Sequence, residues 1–447
     1  MTRTIFDLPE ILLSIAIHLA PADLAQACCV SRGWFVPFAS KLWYSIQQDQ
    51  WTDGNLLLAL PRYAVFVREL RCPLYLPSNS LGHLFSQLTL FSAPRLIHDN
   101  QDTITQILKR NPNIQSLSLS FDSPRSYERM IIDVFQTVSG MTKLKELKLR
   151  ELVFAPGNLG SLLDQLLLLE SLTLEKCGHE YPATNPEEIP EDTVSQLEHP
   201  RQGQQLRSLQ MDGNLDCFEI ILEIAWRSPL LERLVLVNMT TYDLMISSRL
   251  AWYARNLGSQ CQHLDQLVIS GCEVNAGGLV CLLSAFPKLK KLQVMDVPMK
   301  HSHVLRSLIN HKRCRDILEE VSIEKSENHL EGSLSVTTSV LALLAKFKKL
   351  RKVHLRQCRV LAPTVIFYQR RYGSIVASKD LEVLEITLTG PRKSWVPAEV
   401  QSMDAHTHWT SSGDADVDEK PDHSIYHEIM EGVRRLPKLD SSTIRFF

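Results

Sequence analysis

The 447-residue chain reads as an α/β solenoid in which strand–turn–helix repeats stack a parallel β-sheet on the concave face and helices on the convex face, behind a small all-α head. Three observations predict this. A template of apolar-x-x-apolar-x-apolar returns ten times between Ile114 and Ile386, helical patterns fill the intervals, and three short amphipathic segments with their own start signals occupy the N-terminus.

In the head, Pro9 suits a first helical position, Glu10 favours the positive end of the helix dipole, and Ile11, Leu12, Ile15 and Leu19 repeat at helical spacing until Pro21 ends the run. A second helix starts near Asp23 and presents Leu24, Ala27, Cys28 and Val30, after which Ser31, Arg32 and Gly33 read as a break. A third runs from about Trp34 with Trp34, Phe38 and Leu42 on one face, and Pro37 falls in its first turn.

The order Leu8-Pro9-Glu10, Ile15, Leu19, Pro21, Asp23-Leu24, Val30-Ser31-Arg32, Trp34 and Leu42-Trp43 resembles the F-box nearly end to end. His18 departs from it, standing where F-boxes often carry an aromatic or apolar residue. The resemblance implies a helical module docking on a Skp-type adaptor that holds a cullin–RING ubiquitin ligase. The positions matching the family's docking residues are Leu8, Pro9, Ile11, Leu12, Val30 and Trp34.

The chain then divides into a head (4–47), a connector with a degenerate first repeat (48–113), the repeats (114–390), an acidic mobile loop (391–424) and a C-terminal cap (425–447). In the connector, Leu56–Leu60 reads as a short helix, Val67, Leu70 and Cys72 as a first strand unit, and Pro73–Arg95 as an irregular loop around one short helix. The repeat template begins at Ile114, Leu144, Leu169, Leu206, Leu231, Leu264, Leu289, Leu318, Leu350 and Leu381, with steps of 25 to 37 residues. Helical patterns lie at Tyr127–Val138, Leu159–Leu168, Phe218–Arg227, Met245–Leu257, Ala276–Phe286, Val304–Asn310 and Val336–Phe347. One strand–helix unit cannot bury its apolar face alone, so neighbours must stack. From Ile114 to Leu388 this resembles the leucine-rich repeat family, and Cys177, Cys272 and Cys358 occupy that family's second-turn position. They read as small buried hydrophobes with a weak donor. Gly178–Gln205 is a proline-rich acidic insertion, and Asp414–Glu419 lies in the second acidic stretch.

Composition narrows the function. Lys plus Arg is 48 and Asp plus Glu is 50, which leaves no global basic field for nucleic acid or an anionic membrane, and no apolar run reaches the ~18 residues of a membrane helix. A signal peptide is disfavoured, because Asp7, Pro9 and Glu10 sit where a positive segment belongs and His18 interrupts the apolar stretch. Ten cysteines without a CxxC pair fit a reducing interior, cytoplasm and/or nucleus. No phosphate loop, HExxH, GxSxG or dinucleotide turn is present, and the close histidine pairs His301/His303, His406/His408 and His423/His427 lack accompanying ligands. The reading is a substrate-recognition subunit of an SCF-type ligase, with no enzymatic activity of its own and no cofactor or metal implied.

Strand parity names the face for the unknown protein target, because residues flanking the inward apolar pair point outward. The candidates are Arg233, Val235, Val237, Val268, Lys291, Met295, Lys352, His354 and Arg356. Val235, Val237, Val268 and Met295 are expected to expose apolar side chains, while Lys352, His354 and Arg356 are expected to meet an acidic or phosphorylated segment, or Asp414–Glu419 in cis. The basic run Lys346, Lys348, Lys349, Arg351, Lys352, Arg356 and Arg359 admits an alternative, a non-ligase scaffold binding protein or RNA. Few aromatics alternate with those charges to stack bases.

Overall fold

The computed structural model describes residues 8–52, 54–72, 83–121, 128–154, 158–179, 205–213, 218–239, 247–297, 301–324, 340, 342–361, 378 and 380–389. They belong to two compact units, Met1–Leu231 and Glu232–Phe447. The expected loop 391–424 and cap 425–447 lie outside the described residues, as does most of the insertion.

The first unit opens with helices α1 (Pro9–Ala16), α2 (Pro21–Cys28) and α3 (Arg32–Leu42). Their limits differ from the sequence reading for local reasons. Pro21, whose ring presets a helical φ, starts α2, and α1 has already stopped at Ala16. Ser31 is the N-cap of α3, its hydroxyl accepting the Trp34 N–H at 3.3 Å, so Ser31 to Gly33 begin the helix and Pro37 falls in its second turn.

The sheet of this unit runs β1 (Ser45–Ile46), β2 (Glu69–Arg71), β3 (Leu90–Leu96), β4 (Ser116–Phe121), β5 (Glu146–Arg150), β7 (Ser171–Glu175) and β9 (Ser208–Asp212), each pair parallel. β6 (Val153–Phe154) and β8 (Gly178–His179) form a small second ladder, so the insertion's first two residues are paired strand. Between strands lie α4 (Gly54–Tyr63), α5 (His98–Arg110), α6 (Glu128–Ser139) and α7 (Asn158–Leu163), and α8 (Phe218–Arg227) follows β9. β3 and α5 correct the irregular connector. Phe91 and Ala93 are buried in β3, and its register with β4 shifts only around Pro94, which has no N–H to donate.

The second unit has the same construction. Its strands are β10 (Arg233–Val237), β11 (Gln266–Ser270), β12 (Lys291–Met295), β13 (Glu320–Glu324), β14 (Lys352–Leu361) and β15 (Val383–Thr389), again parallel. Its helices are α9 (Ser247–Gln260), α10 (Ala276–Ala285), α11 (His301–Asn310) and α12 (Lys312–Ile317). In every repeat the template's apolar pair falls in register with its neighbours: Leu117, Leu147, Leu172 and Leu209 in the first unit, and Leu234, Leu267, Leu292, Val321, Val353 and Leu384 in the second. All are buried, which makes both units α/β solenoids of the leucine-rich repeat type.

A recurrent backbone feature closes the strands. Glu151, Lys176 and Gly213 in the first unit, and Asn238, Gly271 and Asp296 in the second, each follow a strand directly and have positive φ. This bend carries the ladder one residue further: Glu151 N–H donates to Glu175 O at 2.8 Å, and Asn238, Gly271 and Asp296 donate to Ser270, Met295 and Glu324 carbonyls at 2.7, 3.0 and 3.0 Å. Cys177 and Cys272 then turn their thiols inward, donating to Leu149 O at 3.5 Å and Leu236 O at 3.4 Å. Behind the first unit's sheet, Gly160 N–H donates to the buried Glu223 carboxylate at 3.0 Å, and Arg227 grips both oxygens of Asp164 at 2.8 and 2.9 Å. Burial raises the Glu223 pKa despite the neighbouring guanidinium.

Candidate functional site

The head's helices surround a small core of Leu12, Ala16, Leu24, Ala27 and Phe38, with Ile15, Leu19, Cys28, Trp34 and Leu42 packed against it. The six expected docking positions therefore divide. Leu8 is 41% exposed, Val30 63% and Pro9 is exposed, while Ile11 and Trp34 are half-buried, the Trp34 ring lying 5.3 Å from that of Phe38. Leu12, at 1%, is core and offers no docking surface. One turn separates Leu12 from Ala16, and both face α2 and α3, whereas Leu13 and Ile17 turn outward, Ile17 to 64% exposure. Periodicity could not find those two, because α1 is apolar around most of its circumference.

The head is fastened to the first repeats by aromatic contacts. Trp43 stacks on Tyr63 at 4.7 Å, and Phe35 meets Tyr63 and Phe66 at 6.2 and 6.3 Å. Trp51 Nε1–H donates to Arg71 O at 3.0 Å.

On the open face of the second unit's sheet, register places Val235 beside Val268, then Gln293, Ser322, His354 and Glu385 in one row. The expected exposure of two of these side chains is corrected. Val235 is 5% exposed and Val268 3%, so β10 and β11 bury three consecutive residues where other strands alternate. Both are short and stand side by side between rows carrying Arg233, Gln266 and Lys291 on one side and Val237 and Met295 on the other, which leaves their methyl groups below the surface. Val237 and Met295 are half-buried, Arg233 is exposed, and Gln293 Nε2–H donates to Met295 Sδ at 3.0 Å.

Three of the expected basic positions already lie against carboxylates of this chain. Lys291 and Lys352 reach opposite oxygens of Glu320 at 3.3 and 3.5 Å, and His354 Nδ1 lies 2.9 Å from Glu385 Oε2. In the run that follows Lys346, Arg351 is likewise bound to Glu382 at 2.6 Å. Arg356 lies in β14, its side chain outside the described set. Sequence reasoning missed these pairings because each partner stands about one repeat away and meets the cation only through strand register. Among the described residues no group of three His, Cys, Asp or Glu is arranged to hold a metal ion, and no helix is long and apolar enough to cross a membrane.

No family model matches the chain, and no curated protein matches it. Among solved structures it is similar to an internalin, inlF, from Listeria monocytogenes str. 4b F2365, at 15% identity over 73% of this chain and 76% of that one, with a TM-score of 0.31. It is also similar to TLR13 in the TLR13–ssRNA13 complex, at 14% identity over 77% of this chain and 42% of that one, with a TM-score of 0.38.

Proposed function

We propose that this chain is a protein-binding scaffold acting as the substrate-recognition subunit of an SCF-type cullin–RING ubiquitin ligase. The reading is carried by the F-box-like order of the head together with the outward placement of Leu8, Pro9 and Val30 over an independent core. The head docks on a Skp-type adaptor and the repeats hold a target protein. The chain performs no chemistry and needs no cofactor; it works by proximity, holding a target lysine beside a loaded ubiquitin-conjugating enzyme at high effective concentration. Cytoplasm and/or nucleus is its place of action. The rival RNA scaffold rested on the basic run, and Arg351 and Lys352 of that run are already held by carboxylates of this chain.

The test is co-purification of the full chain with a Skp-type adaptor, compared with a Leu8→Ala, Pro9→Ala double variant. Truncating two anchors should lower recovery at least about tenfold while the repeats stay folded. Equal recovery of adaptor by the variant, or none by the wild type, would overturn the assignment.

A further inference from the structure

Register on the open face of the second unit separates two regions. Across β10 to β12 the outward positions beyond the first row are Val235, Val237, Val268, Ser270, Gln293 and Met295, none of them charged. Across β13 to β15 charges occur, but Glu320 lies between Lys291 and Lys352, and Glu385 lies against His354. Lys291 and Lys352 share the one carboxylate of Glu320, and His354 faces that of Glu385, so each of these three side chains already has an acceptor within this chain. A phosphate approaching Lys352 meets the Glu320 carboxylate at once, and must displace it to gain the lysine.

Resting on the protein-binding reading, we infer that this face takes an uncharged, extended segment of the partner protein, with aliphatic side chains seated at Val237 and Met295, and does not take an acidic or phosphorylated one. Val235 and Val268 form a closed apolar floor that a partner does not reach. The contacts above it are Val237 and Met295, both half-buried, and the Ser270 hydroxyl. The Gln293 amide, which spends an N–H on a thioether, a weak acceptor, exchanges it for a backbone carbonyl of the segment at little cost. An uncharged segment also brings no charge of its own to desolvate over this floor.

The experiment presents the full chain to short synthetic random-sequence peptides in three matched sets, uncharged, Asp/Glu-rich and phosphoserine-containing, with a mixed-sequence single-stranded RNA in the same buffer. The uncharged set should be retained, and Val237→Asp or Met295→Asp should each reduce retention about tenfold. Glu320→Gln, which releases two lysines, should leave uncharged retention unchanged and raise that of the acidic set. Should an Asp variant unfold, Val237→Ser and Met295→Gln ask the same question more gently. Preferential retention of acidic or phosphorylated peptides by the wild type would overturn this inference and leave the protein-binding reading standing. Retention of RNA alone, or of nothing, would overturn both.

Discussion

The sharpest test of the head contrasts two residues that its motif treats alike. Leu12 is 1% exposed, in a cluster whose other members are Ala16, Leu24, Ala27 and Phe38. Its neighbours include two alanines, whose methyl groups cannot rotate into a void, so Leu12→Ala should cost about 3 kcal/mol, within the range of core leucine truncations. Val30 is 63% exposed and makes no part of that cluster, so Val30→Ala should cost under about 0.5 kcal/mol. Adaptor affinity should fall for both, by different routes: Val30→Ala removes a contact from a folded head, whereas Leu12→Ala removes the fold that presents the contact. Hydrogen exchange resolves them, because amides of α1 to α3 should lose protection in Leu12→Ala and keep it in Val30→Ala, with strands β4 to β9 unaffected in both. If Leu12→Ala retains full protection in the head yet loses the adaptor, Leu12 is a docking residue and its assignment to the core is wrong. Equal loss of protection in Val30→Ala would also refute the argument.

Gly271 has φ 61° and an added Cβ would run into Asn238 Oδ1, so Gly271→Ala should destabilise the second unit by more than the ~1–2 kcal/mol of a left-handed backbone alone. Combining it with Asn238→Gly should return the excess; urea unfolding of the four-variant cycle measures this, and additive costs would refute the clash. His311 caps α12 by accepting Cys314 N–H on Nδ1 at 3.4 Å, and its Nε2 faces Ser284 Oγ at 3.1 Å; Ser284 Oγ donates to Val280 O, so neutral His311 donates from Nε2. Burial, then Arg313, lowers its pKa below 6.5, so the unfolded chain binds the proton first. This contribution to stability is therefore complete above pH 6.5 and is lost as pH falls from there through the folded-state value. His311→Asn should lose less stability than wild type over that interval, and identical pH profiles would refute it. Thiol titration should find all ten cysteines free in denaturant, while native protein reacts first at exposed Cys29 and leaves Cys261 and Cys314, whose thiols burial pushes up to about 12 and about 11, untouched. Several native disulfides would contradict the reducing compartment.

The repeats were legible because their signal is redundant: each strand carries two buried residues at fixed spacing, and a parallel neighbour repeats them in register, as with Leu234, Leu267 and Leu292. Where the chemistry weakened, the reading failed. Leu88, Phe91 and Ala93 follow the same template, but a small third residue with Pro94 behind it disguised β3 as loop. Parity set Val235 and Val268 in the row that alternates with the core leucines, but it could not give their depth, which depends on the size of side chains in neighbouring rows. The fate of Lys352 was further out of reach, because Glu320 is remote in sequence and becomes its neighbour only after β13 and β14 align.

What the first unit adds to the proposed mechanism is a fixed geometry between the head and the repeats that follow it. A flexible tether would let a docked head wander and dilute any partner held on the sheet, effective concentration falling roughly as the −3/2 power of linker length. Here no tether exists. Three residues after α3 ends, the chain is already strand: β1 pairs with β2, and Tyr44 O accepts the Arg68 and Glu69 N–H groups at 2.9 and 3.0 Å. Trp43 of the head stacks on Tyr63 of α4, Phe35 meets the same ring at a tilt, and Trp51 is tied to the β2 carbonyl of Arg71. Bending the head away would break parallel sheet pairing and expose these rings together, a cost spread over several groups and not over one hinge. An adaptor bound at Leu8 and Val30 would therefore fix the orientation of strands β2 to β9, and Tyr63→Ala should loosen that orientation without altering the docking surface itself.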